Sequence, residues 1–438
     1  MRTVADNFWF HGMPPLETGS ALFGEHEADV AIIGGGFTGI AAAYFIKQRF
    51  PARRVIVLES EFVGYGSSGR NSGGVTGLLG HSCLHMKKKH GVEKTSRLLQ
   101  LTSQSVPLLE ELIKKHGIDC DYERAGRLVI AETERQVRHL EEQAKASEEV
   151  GEKILWLEKG EARSRFGGVS VLAAVHHPDE GVVNPVKFLR GMKKAAESIG
   201  VEVYEHSRCT HIEPGPIVSL YTALGTVRAR AIVVATNAYG NPLGLFRYKV
   251  LPFYIYQIAM EPLTKAQLDE FHCRGQQNVF IAKNLYWATR FTADNRLQFV
   301  ECDALFFYDM ERDYSHRPRE YRSHYALMIE KFPFLKGIKV THQWGGRIGI
   351  TLDFLPSVGR TGKHENIYYS MGYNGNGLAF GQLAGKMIAA LMAGENSELT
   401  RNMLINKSMT GVPSASATYL ASHGLKFYYK MCDRLLET

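Results

Sequence analysis

One βαβ unit with a glycine-patterned turn constrains this chain more than any other stretch. Val30-Ala31-Ile32-Ile33 is a short apolar strand, and Gly34-Gly35-Gly36-Phe37-Thr38-Gly39 follows it as a G-x-G-x-x-G. The turn opens an apolar helix ending near Pro51, after which Val55-Ile56-Val57-Leu58 delivers Glu59. The acid falls about 20 residues beyond the last glycine, the spacing of a dinucleotide-binding fold. Each part has a physical task. Gly34 permits the tight turn, Gly36 lets the backbone approach a pyrophosphate, and Gly39 lets helix and strand pack closely. The helix N-terminus offers free N–H donors and partial positive charge, with Phe37 and Thr38 in its first turn. Glu59 is placed to accept hydrogen bonds from ribose hydroxyls.

At 438 residues the chain is expected to form two domains. Its 22% charged content and net charge of +7 fit a soluble globular protein without a nucleic-acid surface. The basic run Lys87-Lys88-Lys89-His90 lacks interleaved aromatics and reads as a solvated helix segment. No apolar run approaches the ~18–20 residues that span a bilayer, and no signal pattern precedes Phe10, so a cytoplasmic protein without an integral membrane segment is expected. Six cysteines without C-x-x-C spacing predict neither a disulfide framework nor a metal site.

After Glu59, the segment from Gly64 to Gly77 holds six glycines and cannot be a regular element. A long amphipathic helix is predicted over 91–118, a strand over Gly126–Ala131 and a helix over Glu132–Val150. Asn184-Pro185 opens a further helix, and Ala231-Ile232-Val233-Val234-Ala235 reads as a buried parallel strand meeting a ligand at Thr236-Asn237. Between 242 and 339 short aromatic-rich runs suggest an antiparallel sheet. The α/β texture then returns as the strand Ile367–Ser370, a second glycine turn and a helix from Leu378.

Four blocks together resemble the D-amino-acid-oxidase/glycine-oxidase superfamily of FAD enzymes, and most of all its gamma-glutamylputrescine-oxidase branch. They are Ala28–Gly39 with Glu59; Gly66-Ser67-Ser68-Gly69-Arg70-Asn71-Ser72-Gly73-Gly74; Trp344-Gly345-Gly346-Arg347 with Thr351-x-Asp353-x-x-Pro356-x-Val358-Gly359; and Gly372-Tyr373-Asn374-Gly375-Asn376-Gly377 with its helix. The second and third blocks are the more specific. The resemblance implies an α/β fold: a discontinuous Rossmann-like FAD domain (1–90, 151–241, 340–400) and an inserted α+β substrate domain on an antiparallel sheet (91–150, 242–339). A C-terminal extension (401–438) completes the chain. It implies non-covalent FAD, since neither relevant segment supplies a tethering cysteine or histidine. It also implies two-electron oxidation of a C–N bond in a small amine or amino acid, with O2 as acceptor; a homo-oligomer stays open.

Residue roles follow by the same likeness. Ser67, Ser68, Arg70, Asn71, Ser72 and Gly73 line the cofactor, joined by Thr236, Asn237, Gly346 and the second turn from Gly372 through Tyr373, Asn374, Gly375, Asn376 and Gly377 to Leu378. That turn's N–H groups face charge on the reduced flavin. Arg347 is either a substrate-carboxylate ligand or a structural ion pair; it precedes Thr351 by four positions, one more than in glycine-oxidase-like sequences, and one residue reverses the face of a strand. Tyr286 and Arg290 share a face and frame a pocket, or are simply exposed. Arg296, and less so Lys283, are the cations proposed for oxygen activation; His81 and His85 could reach the pocket mouth. The competing classes are a dehydrogenase using a quinone or carrier, with the apolar segment Tyr419–Leu436 touching a partner, and a flavin-binding accessory protein without turnover.

Overall fold

The computed structural model describes residues 6–437 except 81, 241–242, 247, 273–274 and 310–311. Two sheets form from interleaved stretches of chain, so neither domain is continuous. The strands in chain order are β1 (Gly24–Ile33), β2 (Val55–Leu58), β3 (Gly74–Val75), β4 (Arg127–Ala131), β5 (Leu155–Glu158), β6 (Ala173–His177), β7 (Gly181–Val182), β8 (Val201–Tyr204), β9 (His211–Glu213) and β10 (Val218–Tyr221). They continue as β11 (Gly225–Val234), β12 (Leu251–Pro262), β13 (Asn278–Ile281), β14 (Trp287–Phe291), β15 (Arg296–Glu301), β16 (Leu305–Phe306), β17 (Val340–Ile350), β18 (Ser357–Thr361) and β19 (Ile367–Met371). The helices used below are α1 (Phe37–Arg49), α2 (Cys83–His90), α3 (Val92–Ser103), α4 (Ser105–His116), α5 (Glu134–Glu149), α6 (Pro185–Ser198), α7 (Pro318–Lys331), α8 (Gly377–Met392) and α9 (Ala415–Glu437).

The first sheet has the order β18-β19-β11-β1-β2-β8, parallel from β19 to β8, with the β9–β10 pair attached to β11. Its central strands are buried on both faces, which is why they read as unbroken apolar runs. Helix α1 is buried from Phe37 to Ile46 between this sheet and α8. The two helices come unusually close because α8 has glycine at the contact. A Cβ on Gly385 would sit 2.6 Å from the Ala42 nitrogen.

The second sheet runs β16-β12-β15-β14-β13-β4-β6-β5, with β17 on the other side of β12; all its pairs are antiparallel except β13–β4. Alternation divides its side chains cleanly. Tyr254, Tyr256, Phe299, Trp287, Val279 and Leu128 point into a core closed by α7. Phe253, Ile255, Gln257, Gln298, Arg290, Asn278 and Arg127 point the other way and floor a large cavity.

The domain boundaries shift from those expected. The predicted helix 91–118 is two helices, α3 and α4, broken at Gln104. Leu98, Leu101, Leu109 and Leu112 pack in the same core as Ile40 and Leu383, so both helices belong with the nucleotide domain. Conversely β5, β6 and β17 belong to the second sheet. Amphipathic spacing says that a face is buried, not which partner buries it.

Candidate active site

Both glycine turns open into one cavity of about 1280 Å³ between the two sheets. At the first turn Gly34 has φ +103°, and a Cβ there would lie 2.9 Å from the Ala235 carbonyl oxygen. Gly39 is tighter still: its Cβ would fall 1.8 Å from the Gly34 oxygen. Gly36 caps α1 without a side-chain bond, and a Cβ on it would meet Ser68 Oγ, which also accepts from the Phe37 N–H at 3.1 Å. At the second turn Gly375 has φ +96° and Asn376 caps α8 without a side-chain bond. Two helix N-termini, neither bonded by its own N-cap side chain, therefore face the same space, which suits a ligand with a pyrophosphate at one end and an electron-accepting ring at the other.

The Glu59 carboxylate lines this space, accepting from Gly35 N (2.8 Å), Glu61 N (3.1 Å) and Ser60 Oγ (3.1 Å). Burial raises its pKa despite those bonds. Thr236 Oγ1 is buried with no hydrogen-bond partner among the described residues, an orphan that a bound nucleotide would satisfy. Thr38 and Tyr373 instead join the two turns. Their hydroxyls lie 2.6 Å apart, Tyr373 also reaches Ser370 Oγ at 2.9 Å, and burial pushes the phenol up to about 12. Asn237 and Asn374 are clamps as well: Asn237 Oδ1 accepts from Gly372 N and Asn374 Oδ1 from Thr351 N, each at 2.9 Å.

The early glycine loop is held from below. Asn71 Nδ2 donates to the Ser67 and Ser68 carbonyls, while its Oδ1 accepts from Gly73 N. The Ser67 hydroxyl donates to the Arg347 carbonyl. Arg70 is 4% exposed; it donates to the Tyr65 carbonyl (2.7 Å) and Gly345 carbonyl (3.2 Å), and its Nη2 has no partner among the described residues. A Cβ on Gly346 would lie 2.9 Å from Arg70 Cβ, so that glycine admits the arginine stem. The N-terminal segment, for which sequence gave no role, adds Asn7 Nδ2 to the Gly69 carbonyl and Trp9 Nε1 to the Asn71 carbonyl, both at 2.7 Å.

The substrate-side expectations fare unevenly. Arg290 is fully buried on the cavity floor and donates to the Ser72 carbonyl (2.9 Å), the Val183 carbonyl (3.2 Å) and Gln276 (3.2 Å). It braces the glycine loop, and Gly73 must lack a Cβ because one would sit 2.3 Å from Arg290 Nη1. Tyr286 lines the cavity beside Cys302; that thiol and burial raise the phenol's pKa well above its usual value, and burial pushes Cys302 up to about 11.

Arg347 pairs with Tyr254 in the β12–β17 ladder and so leaves the sheet on Tyr254's face, opposite Phe253 and Ile255. Its Nε donates to Tyr254 Oη (2.5 Å) and its Nη2 to the Arg312 carbonyl (2.8 Å), although the residue still borders the cavity. These contacts are structural, made to a phenol and a carbonyl and not to a carboxylate. Arg296 corrects the catalytic expectation: it is not among the cavity-lining residues, and its guanidinium is committed to Asp294 (2.6 Å), the Met260 carbonyl and Thr341. Lys283 pairs with Glu437 at the cavity edge, and His85 is exposed on α2. His81 lies outside the described residues.

A model of FAD dependent oxidoreductases (DAO) matches residues 29–391. The chain belongs to that family. It is 31% identical to a probable oxidoreductase OrdL of Haemophilus influenzae, covering 86% of this chain and 85% of that protein. It is also 31% identical to gamma-glutamylputrescine oxidoreductase of Escherichia coli, covering 84% of each. In fold it is similar to glycine oxidase from Geobacillus kaustophilus, with a TM-score of 0.73, 24% identity, and coverage of 88% of this chain and 99% of that one. This flavoenzyme therefore uses FAD, and the glycine cradle, the orphaned Thr236 hydroxyl and the paired helix N-termini fit it. Among the described residues no helix is long and apolar enough to cross a membrane.

Proposed function

We propose that this flavoenzyme oxidises the C–N bond of an amine or amino acid to an imine, with O2 as electron acceptor and hydrogen peroxide as product. FAD, when bound, supplies the hydride-accepting ring. The observation that carries the reading is the cavity floor, where Gln257, Gln298 and Arg290 present buried polar groups to the space entered by both helix N-termini. Gln298 Oε1 and Arg290 Nε have no partners among the described residues. An amine N–H satisfies the first as a donor, and the pair orients the reacting carbon. Tyr286 and Cys302, two cross-strand rows further along the floor, are both held protonated near neutral pH. Neither serves as a base, which suits an amine that binds neutral and loses hydride without prior proton abstraction.

The test is anaerobic addition of amines and amino acids to the yellow holoprotein. Bleaching of the flavin, followed by stoichiometric peroxide on admitting air, is the expected result; no bleaching by any of them removes the proposal. A second reading, in which electrons pass to a carrier, is favoured by one feature. Helix α9 leaves Leu420, Phe427, Tyr428, Met431 and Leu435 exposed along one side. Bleaching without peroxide would select it.

A further inference from the structure

We propose that the outward side of α9 is a docking surface for an anionic lipid bilayer, with the helix lying in the plane of the interface. The inference goes beyond the proposed oxidation and does not depend on it.

Helix α9 is amphipathic in the opposite sense to an ordinary surface helix, which turns its apolar stripe toward the core. Its protein-facing side is held by polar groups. The buried Asp433 carboxylate accepts from Asn284 and Leu285, Lys426 Nζ pairs with Asp303 at 2.5 Å, and Glu437 pairs with Lys283. Two carbonyls near its C-terminal end are taken by the start of α5: Thr133 Oγ1 donates to that of Leu436 at 2.6 Å and Arg135 Nη1 to that of Leu435 at 2.9 Å. The side turned away holds Leu420, Phe427 and Met431, seven and then four residues apart, with Tyr428 beside them. Leu420 is 70% exposed and Phe427 68%. Polar anchors thus fix the helix while its apolar stripe is left to the outside, where a stripe of this kind marks an interaction surface.

Charge identifies the occupant. The helix contains two acids, and neither joins the outward side, since Asp433 is buried and Glu437 is paired with Lys283. Lys430 and Arg434 are exposed four residues apart, and exposed His423 lies seven before Lys430, so helical spacing sets the three in one row beside Phe427. An apolar stripe edged by cations and tyrosine suits a bilayer interface: hydrocarbon takes Leu420, Phe427 and Met431, and anionic headgroups take Lys430 and Arg434. A second copy of the chain would instead bring the same cations into the seam, with no acid from α9 to meet them. The net charge of +7 favours the anionic partner as well. Among the described residues no helix is long and apolar enough to cross a membrane, so α9 lies on the surface. Ser422, Lys426 and Tyr429, on its other side, line the cavity, so the docked helix stands between bilayer and cavity.

The experiment is flotation of the holoprotein with vesicles of phosphatidylcholine alone or mixed with phosphatidylglycerol. Binding to the mixed vesicles is expected to be about tenfold stronger or more, the factor that two cations at an anionic surface supply. The double variant Phe427→Ser, Met431→Ser should lose binding to both lipids. Lys430→Gln with Arg434→Gln should keep weak binding and lose the preference for phosphatidylglycerol. None of these four side chains lines the cavity, so flavin content and melting temperature should stay as in the unmodified protein. If the apolar pair does not fold, the charge pair carries the test. No binding to the mixed vesicles, equal binding to both lipids, or undiminished binding in the variants would overturn the proposal. So would a dimer in analytical ultracentrifugation that Phe427→Ser dissociates while vesicles bind nothing, which would give the face to a second copy. Amine bleaching of the flavin is read separately and bears on the proposed oxidation alone.

Discussion

Arg290 carries a guanidinium into the interior, and burial pushes its pKa down to about 9. Its reward is geometric: three protein acceptors and the face of Trp9, 4.9 Å away, position the loop that meets the flavin. Arg290→Met relieves the buried charge but strands the Ser72 and Val183 carbonyls. The net expectation is a loss of about 1–3 kcal/mol in urea unfolding together with weaker FAD retention. An unchanged midpoint and full flavin content would show that the loop holds itself. Gly39 has no such latitude. A methyl 1.8 Å from the Gly34 oxygen forces α1 off the sheet, so Gly39→Ala is expected to purify colourless or not fold at all. The glycines were legible in the sequence because their demands are local. The partners of Arg290 were not, since Ser72, Val183 and Gln276 come from distant parts of the chain.

At the level of elements, the N-terminal turn Phe8–Phe10 is fastened at its end by a cluster that dislikes acid. His342 on β17 faces His11 (ring centroids 4.9 Å apart) and the charge of Arg296, with Asp294 and Asp6 opposing. Burial, then His11 and Arg296, lower its pKa from 6.5 to about 4. The unfolded chain therefore binds the extra proton first, and this contribution to stability is lost as pH falls from about 6.5 toward 4. Melting temperatures across that window should decline, and His342→Gln should flatten the decline; an identical slope in the variant would mean that other buried histidines, such as His324, dominate. Elements themselves were read well where periodicity was strong, as in β2, β4, β19 and α5, which fall within a residue or two of expectation. Assignment to domains failed for α3, α4 and β17 because it depends on long-range pairing. The reversal of Arg347 belongs to the same class: the extra residue before Thr351 was visible, whereas the face it selects required the register with Tyr254.

For the whole molecule, the cavity is the seam. Its walls come from the ends of β1 and β11, the starts of α1 and α8, the floor of the second sheet, and the inner side of α9. Helix α9 is itself fixed to the second domain, where the Asp433 carboxylate accepts from Asn284 N (2.9 Å), Asn284 Nδ2 (2.8 Å) and Leu285 N (2.8 Å). A cofactor filling such a seam binds only the assembled form, so its free energy adds to stability by mass action. At free FAD a hundredfold above its Kd the gain is about 2.7 kcal/mol. The polar floor and the orphaned Thr236 hydroxyl predict that this gain is shared by both domains, because each leaves groups for the ligand to satisfy. Calorimetry of the apoprotein against an FAD series should show a single transition whose midpoint climbs with the logarithm of FAD concentration. Two transitions, with only one of them responding to FAD, would mean that the second sheet folds and melts without regard to what the first one holds.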